Sequence, residues 1–232
     1  MALSEERTTN ITPAIEDYLK AIYTLQQQGA VTLALLAEQL GGFKPGSITG
    51  MLKKLAELHL VQYTPYHSVR LTPAGERIAL EVVRHHRLLE LYLVEALGYS
   101  WDEVHEEAER LEHHISEKLE ARIAAHLGDP RFDPHGDPIP SPEGTLPALP
   151  DKRMADLPVA THARIVRVCE QHAERLRYLA SLGITPGAPI TVVAVAPFEG
   201  PITIQLGTST HPLDYRLART ISVAVVGDAA PV

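Results

Sequence analysis

A chain of 232 residues is longer than most single domains, so its length favours two or three separate hydrophobic cores. Apolar residues make up 45% of the chain and charged residues 22%, which is typical of a folded globular protein and excludes a disordered or fibrous one. We expect a cytoplasmic protein, because the sequence has no apolar run long enough to span a membrane, no secretory signal pattern and a single cysteine, Cys169.

The net charge of −8 would by itself argue against a polyanionic partner, since nucleic-acid binding depends on neutralising phosphates. The charges are unevenly distributed, however. Residues 31–72 carry four basic residues against two carboxylates, whereas residues 102–120 carry eight carboxylates against two basic residues. The first segment could approach DNA, and the second could gather cations.

Three short helices are predicted near the N-terminus. Thr12 and Pro13 signal the start of a helix that runs to about residue 28, and Thr32 can cap a second helix that ends at a glycine pair. Pro45 opens a third helix, in which apolar residues recur every three or four positions and the other face is polar and basic. Helix, short glycine-containing turn and helix form the helix-turn-helix pattern.

Two short β-prone runs, LVQYTPY and SVRLT, follow the third helix and are joined at residues 65–67. They predict a hairpin wing, so that residues 1–72 form a winged helix-turn-helix. Such motifs also occur as structural elements in enzymes and protein-binding modules, but the polar helix front favours DNA binding. The candidate DNA contacts are Thr32, Lys44, Ser47 and Thr49, together with the phosphate-neutralising Lys53, Lys54 and Arg70.

Two long helices are predicted next. Thr72 and Pro73 begin one that runs to about Leu97. Ser100 and Glu103 fit a capping box that opens a second long helix. The apolar seam of this second helix is formed by Val104, Ala108, Leu111, Ile115 and Leu119.

Imidazole and carboxylate groups are concentrated on these helices. Five of the twelve histidines fall within residues 85–114. On the acidic helix, about 100° of one face is occupied by His105, Glu109, Glu112 and His113, and His86 and Glu90 share a face of the preceding helix. Such groups converging from several helices suit a divalent first-row metal, although a long acidic helix can also present only a solvated face.

Residues 129–152 are rich in proline and glycine and are predicted to connect domains without contributing to a core. Beyond them lie four β-prone runs and one helix from about Glu170 to Leu182. Short strands over about 75 residues predict a small barrel. Cys169 is interpreted as a small buried apolar residue.

Three collinear motifs, TPAIEDYLKAIY, HHRLLELYL and VHEEAERLEHHIS, resemble the DtxR/MntR family of metal-activated repressors, and the match extends over nearly the whole chain. The resemblance implies a mainly α protein with a small β domain. Its expected parts are a winged helix-turn-helix (1–72), metal-binding and dimerisation helices (73–128), a proline-rich linker (129–152) and an SH3-like, FeoA-like barrel (153–232).

The resemblance also implies two metal sites per chain. The primary site would use Asp17, Glu109, Glu112 and His113. The ancillary site would use His86, Glu90 and His105, with Glu170 and His172 as candidates from the C-terminal domain.

Iron-responsive members have Met and Cys at the positions of Asp17 and Glu109, so the carboxylates of this chain favour Mn²⁺, with Fe²⁺ as the alternative. Lys20 stands where short manganese-responsive members have a Glu that serves a paired metal site. A closely spaced pair of ions is therefore not expected.

The expected function is that of a homodimer which, when metal-loaded, binds a palindromic double-stranded DNA operator and represses metal-uptake genes. A metalloenzyme is the first alternative, but the sequence contains no HExxH, phosphate-binding glycine loop or nucleophile elbow. The second alternative is a metal-independent winged-helix protein whose C-terminal barrel binds a peptide or small ligand.

Overall fold

The computed structural model describes residues 11–64, 67–149, 152–170 and 172–226. They belong to two compact units. Unit 1 comprises residues 1–85, 112–115 and 140–145, and unit 2 comprises residues 86–111, 116–139 and 146–232. No helix in these described ranges is long and apolar enough to cross a membrane.

Unit 1 contains the predicted winged helix-turn-helix. Its helices are α1 (Pro13–Gln26), α2 (Leu33–Gln39), α3 (Pro45–Glu57) and the first half of α4 (Pro73–Leu97). The Thr32 hydroxyl caps α2 by accepting a hydrogen bond from the backbone N–H of Leu35 at 3.2 Å. The helices enclose a core of fully buried side chains: Ile15, Leu19, Ile22, Leu36, Ile48, Leu52 and Leu55. The last three belong to α3, which confirms its predicted apolar face.

The wing is an antiparallel pair, β1 (Val61–Gln62) and β2 (Arg70–Leu71). The predicted turn falls partly on Pro65 and Tyr66, which lie outside the described residues. The start of α4 lies close to Leu60, which directly precedes β1. A Cβ at position 75 would lie 2.1 Å from the Leu60 carbonyl oxygen, so only glycine, which has no Cβ, fits there.

The prediction of one long acidic helix is wrong. Two helices are present, α5 (Val104–Leu111) and α6 (Glu117–His126), with a turn between them. Ser116 caps α6 by accepting from the backbone N–H of Leu119 at 3.3 Å, and this local hydrogen bond competes with continuation of α5.

The predicted capping box is also not formed at the start of α5. Because α5 begins only at Val104, the hydroxyl of Ser100 donates instead to the Glu103 carboxylate at 2.6 Å.

The proline-rich segment is not merely a connection, and its predicted lack of core residues is wrong. Asp133, His135 and Ile139 are buried. The Asp133 carboxylate accepts from the backbone N–H groups of His135 at 2.8 Å and Asp137 at 2.9 Å, which closes a compact turn. Gly136 has a φ of +83°, and a Cβ there would lie 2.0 Å from the Val166 carbonyl oxygen, so this turn packs tightly against β4.

The C-terminal part of unit 2 is the expected small β domain. Its antiparallel sheet has the strand order β3-β8-β4-β5-β6-β7, where the strands are β3 (Lys152–Arg153), β4 (His162–Val168), β5 (Pro189–Val195), β6 (Ile202–Leu206), β7 (Ser209–Leu213) and β8 (Ile221–Val225). Helices α7 (Ala173–Ser181) and α8 (Tyr215–Arg219) complete it. The sequence analysis missed β7 because this edge strand is largely polar and contains Pro212.

Candidate metal centre

A first cluster in unit 1 contains Asp17, Glu112 and His113, whose potential ligand atoms lie within 4.8 Å of one another. Asp17 is on α1, whereas Glu112 and His113 lie in the turn after α5. His113 Nε2 is 2.8 Å from Asp17 Oδ1 and 3.5 Å from Glu112 Oε1. One nitrogen and two carboxylate oxygens therefore converge on one point.

The His113 ring is oriented by a second carboxylate of α1. Its Nδ1 donates to Glu16 Oε2 at 2.6 Å, while its Nε2 donates to Asp17. The hydrogen bonds to Asp17 and Glu16 raise the pKa of His113 to about 10, outweighing the opposite effect of burial. Glu16 was not among the predicted site residues, because helical periodicity does not distinguish it from an ordinary surface carboxylate. A carboxylate behind a ligand histidine fixes the ring in the ligating orientation.

Glu112 is the buried member of this cluster. Its side chain has no exposed surface, and Lys20 Nζ donates to Oε1 at 2.9 Å and to Oε2 at 2.8 Å. The backbone carbonyl of Glu112 accepts from His85 Nδ1 at 3.1 Å. The turn that carries Glu112 is thus held by both its side chain and its main chain.

A second cluster, in unit 2, contains His86, His105 and Glu109. His86 Nε2 is 3.1 Å from His105 Nδ1, and Glu109 Oε1 lies 3.8 Å from His86 Nδ1 and 3.9 Å from His105 Nε2. The resemblance assigned Glu109 to the primary site with Asp17. Membership of Glu109 in the primary site stays a prediction.

A third cluster, also in unit 2, is formed by Glu90, Asp133 and His135, all buried. Glu90 is shared with the second cluster, since Oε1 lies 2.9 Å from His86 Nε2 and 3.3 Å from His105 Nδ1, whereas Oε2 lies 3.6 Å from His135 Nδ1. Sequence reasoning missed Asp133 and His135 because it treated their segment as a linker. The one available signal was a histidine among aspartates in a short turn, DPHGD.

Burial and close charges perturb the titration of this third cluster. Burial favours a higher pKa for Glu90, but the neighbouring histidines, led by His86, hold it well below its usual range. Burial, with the charges of Asp137 and Glu90, raises the pKa of Asp133 well above its usual range. Burial lowers the pKa of His135, yet its bond to Glu90 and nearby carboxylates raise it to about 9.

The two C-terminal ligand candidates contact each other. Glu170 Oε1 accepts from the backbone N–H and Nδ1 of His172 at 3.0 and 2.9 Å, and Oε2 accepts from Arg175 at 3.0 Å. Neither residue belongs to any of the three clusters found among the described residues. Their role as ancillary ligands stays a prediction.

The predicted DNA contacts lie on the surface of unit 1. Thr49 is half-buried, and its hydroxyl donates to the Pro45 carbonyl within α3 at 3.0 Å. The other candidates are exposed: Thr32, Lys44, Ser47, Lys53, Lys54 and Arg70.

Three family models match the chain in succession. They describe the N-terminal DNA-binding domain of iron-dependent repressors (residues 10–69), the metal-binding and dimerisation domain of the same repressors (72–141) and the FeoA domain (152–225). The chain belongs to the DtxR/MntR family of metal-dependent repressors.

Individual relatives agree with this DtxR/MntR assignment. The iron-dependent repressor IdeR of Mycobacterium tuberculosis (strain ATCC 25618 / H37Rv) is 31% identical over 91% of this chain and 96% of its own. The diphtheria toxin repressor of Corynebacterium diphtheriae is 30% identical over 90% and 95%.

Solved structures of manganese-responsive proteins are also similar. A manganese-dependent transcriptional repressor in complex with manganese is 40% identical, with a TM-score of 0.85 over 91% of this chain and 100% of that one. The manganese regulator SloR is 28% identical, with a TM-score of 0.76 over 93% and 100%. This DtxR/MntR family member is therefore a metal-dependent DNA-binding transcriptional regulator.

The donor chemistry of this DtxR/MntR repressor fits a divalent metal. Every member of the three clusters offers an imidazole nitrogen or a carboxylate oxygen, and none offers sulfur. The arrangement in which Glu16 supports His113 is the orientation device that metal-ligating histidines use. Asp17, Glu112 and His113 would hold the ion of the first cluster.

Proposed function

We propose that this repressor is activated by Mn²⁺, with Fe²⁺ as the alternative, and that its metal-loaded homodimer represses metal-uptake genes. The observation that carries the proposal is the convergence of Asp17, from the first helix of the DNA-binding domain, with Glu112 and His113. An activating ion held by these residues would act directly on a helix that packs in the core of the winged helix-turn-helix.

The residues support a linkage mechanism. A bound dication would supply the positive charge that lets Asp17 and Glu112 stay close while His113 gives up its proton. Asp17 would thereby fix α1 relative to the turn after α5. Ile15, Leu19 and Ile22, on the same helix, are fully buried, so a restraint on α1 is transmitted to the domain that carries α3. The free-energy shift toward the DNA-binding state is at most the difference in metal-binding free energy between the two states.

The preference for Mn²⁺ rests on ligand hardness. Carboxylate and imidazole donors suit Mn²⁺ and Fe²⁺, whereas sulfur donors favour softer ions. The similarity to a repressor structure that contains manganese supports the same choice.

We further propose two metal ions per chain, one at the first cluster and one at the second. Glu90 contacts both histidines of the second cluster and His135 of the third, so an ion bound at the second cluster would alter the charge that His135 faces. Glu109 would serve the second cluster in this arrangement.

DNA binding would use α3 in the major groove and the wing against the backbone. Lys53, Lys54 and Arg70 are exposed and would neutralise phosphates, while Lys44 and Ser47, at the start of α3, would reach base edges. A two-fold dimer would read a palindromic operator with two half-sites.

The test is a fluorescence-anisotropy titration with a DNA fragment selected from a random pool by the Mn²⁺-loaded protein. We expect binding to disappear with a chelator and to return with Mn²⁺. Binding that is insensitive to the chelator would contradict metal activation and favour the metal-independent alternative. Recovery with Fe²⁺ at lower free metal than with Mn²⁺ would reverse the proposed metal preference.

A further inference from the structure

The ammonium group of Lys20 contacts both carboxylate oxygens of Glu112, which is a proposed metal ligand. Lys20 follows Asp17 by three positions on α1, so the two side chains project from the same side of the helix. Its Nζ donates to Glu112 Oε1 at 2.9 Å and to Oε2 at 2.8 Å. The contact is shielded from water, since the Glu112 side chain has no exposed surface and that of Lys20 is 17% exposed.

We propose that Lys20 is a built-in competitor for metal at the first cluster, which lowers the metal affinity below that of the three ligands acting alone. This inference rests on the proposed metal site, but it concerns a residue that is not a ligand.

The contact between Lys20 and Glu112 stabilises the folded protein when no metal is bound. A buried carboxylate without a counter-charge is strongly destabilising, whereas one paired with a cation through both oxygens is tolerated. Lys20 therefore stabilises the turn that carries Glu112 in the absence of bound metal.

The same contact opposes metal binding in two ways. Glu112 Oε1 is the oxygen that faces His113 Nε2, at 3.5 Å, and it is also an acceptor of Lys20. A dication at this oxygen would have to weaken the Lys20 hydrogen bond. It would also lie close to a positive charge in a poorly hydrated place, where like charges repel strongly. Both effects shift activation to a higher concentration of free metal.

The sharpest test compares Mn²⁺ dissociation constants of full-length, chelator-treated proteins by isothermal titration calorimetry. Lys20→Met keeps the length and apolar stem of the side chain but removes the charge. We expect it to bind Mn²⁺ about tenfold more tightly or better than the wild type, because a neighbouring like charge shifts the binding of a cation by at least that order.

Two controls separate competition from net charge. Lys118→Met removes the same charge from an exposed position on α6, and its dissociation constant should stay within about twofold of the wild type. Lys20→Arg keeps a cation that can contact both Glu112 oxygens, and it should bind Mn²⁺ no more tightly than the wild type.

Folding is followed in the same samples by thermal unfolding. Lys20→Met should melt at a lower temperature without metal, and Mn²⁺ should raise its melting temperature by more than it raises that of the wild type. Lys20→Gln retains an amide donor for Glu112 without the charge, and it should show the same tightening if Lys20→Met is poorly folded.

The outcomes distinguish this inference from the proposed function. If wild-type protein binds Mn²⁺ but Lys20→Met and Lys20→Gln bind it equally or more weakly, competition by Lys20 is wrong while the metal site stands. If no protein in the series binds Mn²⁺, the proposed metal site is wrong and the inference falls with it.

Discussion

Asp17 Oδ1 lies 2.8 Å from Nε2 of His113, a residue 96 positions further along the chain. In the metal-free protein this short contact is a charge-assisted hydrogen bond, because the pKa of His113 is raised to about 10. Asp17 and His113 are both proposed metal ligands. A metal ion held by them would take the place of the proton that His113 donates to Asp17.

Removing either Asp17 or His113, the proposed ligands, should weaken the metal response. We expect Asp17→Ala and His113→Ala each to weaken Mn²⁺-dependent DNA binding by at least about tenfold, a loss expected when a metal site is perturbed. The measurement is the Mn²⁺ concentration that gives half-maximal DNA binding. Glu106→Ala is a matched control, because this α5 carboxylate is 83% exposed. If the Asp17 and His113 variants respond like the control, the first cluster is not the activating site.

Binding of Mn²⁺ at pH 7.5 should release about one proton from His113, since a ligand imidazole must be neutral. Apparent affinity should accordingly rise about tenfold for each pH unit up to about 10, the pKa of His113. Calorimetry in buffers of different ionisation enthalpy counts the released protons. His113→Gln should abolish this release, and equal release by wild type and variant would assign the proton to another group.

The same pKa predicts how metal-free stability depends on pH. The folded pKa of His113 is raised from 6.5 to about 10, so its stabilising contribution is complete below pH 6.5 and is lost as pH rises through 10. In chelator, the free energies of unfolding of wild type and His113→Gln should converge between pH 7 and pH 10. A constant difference over this range would contradict the assignment.

His135 should be important for folding. It stacks on Trp101 with ring centroids 5.5 Å apart, and its Nδ1 faces the buried Glu90 carboxylate at 3.6 Å. His135→Leu leaves that carboxylate with less compensation and should lower the free energy of unfolding by about 3 kcal/mol, as for a broken buried ion pair. Urea unfolding measures the loss. His162→Leu, at an exposed position of β4, should change the stability by less than about 1 kcal/mol.

Lys53 and Lys54 should contribute affinity without sequence preference. Changing either to Ala is expected to weaken binding to all DNA sequences alike and to reduce the slope of log affinity against log salt by about 1. The titrations are repeated at several salt concentrations on selected and unrelated fragments. A loss confined to one base position, with the slope intact, would show that these lysines read bases instead.

The sequence by itself determined the order of the N-terminal elements, α1 to α4, and the family. Periodic apolar residues, proline at helix starts and threonine caps are local signals. They placed the starts of α1, α2, α3 and α4, and the ends of α1, α2 and α4, within two residues. The clustering of histidines and carboxylates along the sequence identified the metal-binding region, because the residue types that bind metals can be recognised without knowledge of the fold.

Only the tertiary structure decided how the candidate ligands are grouped. Glu109 is on α5, whereas Glu112 and His113 follow the end of that helix at Leu111, although a single continuous helix would have placed all three on one face. The contact of Lys20 with Glu112 joins residues 92 positions apart. Burial of Asp133 and His135 depends on packing of a proline-rich turn, which carries no periodicity. Long-range contacts are set by the packing of whole elements, and local sequence patterns do not predict them.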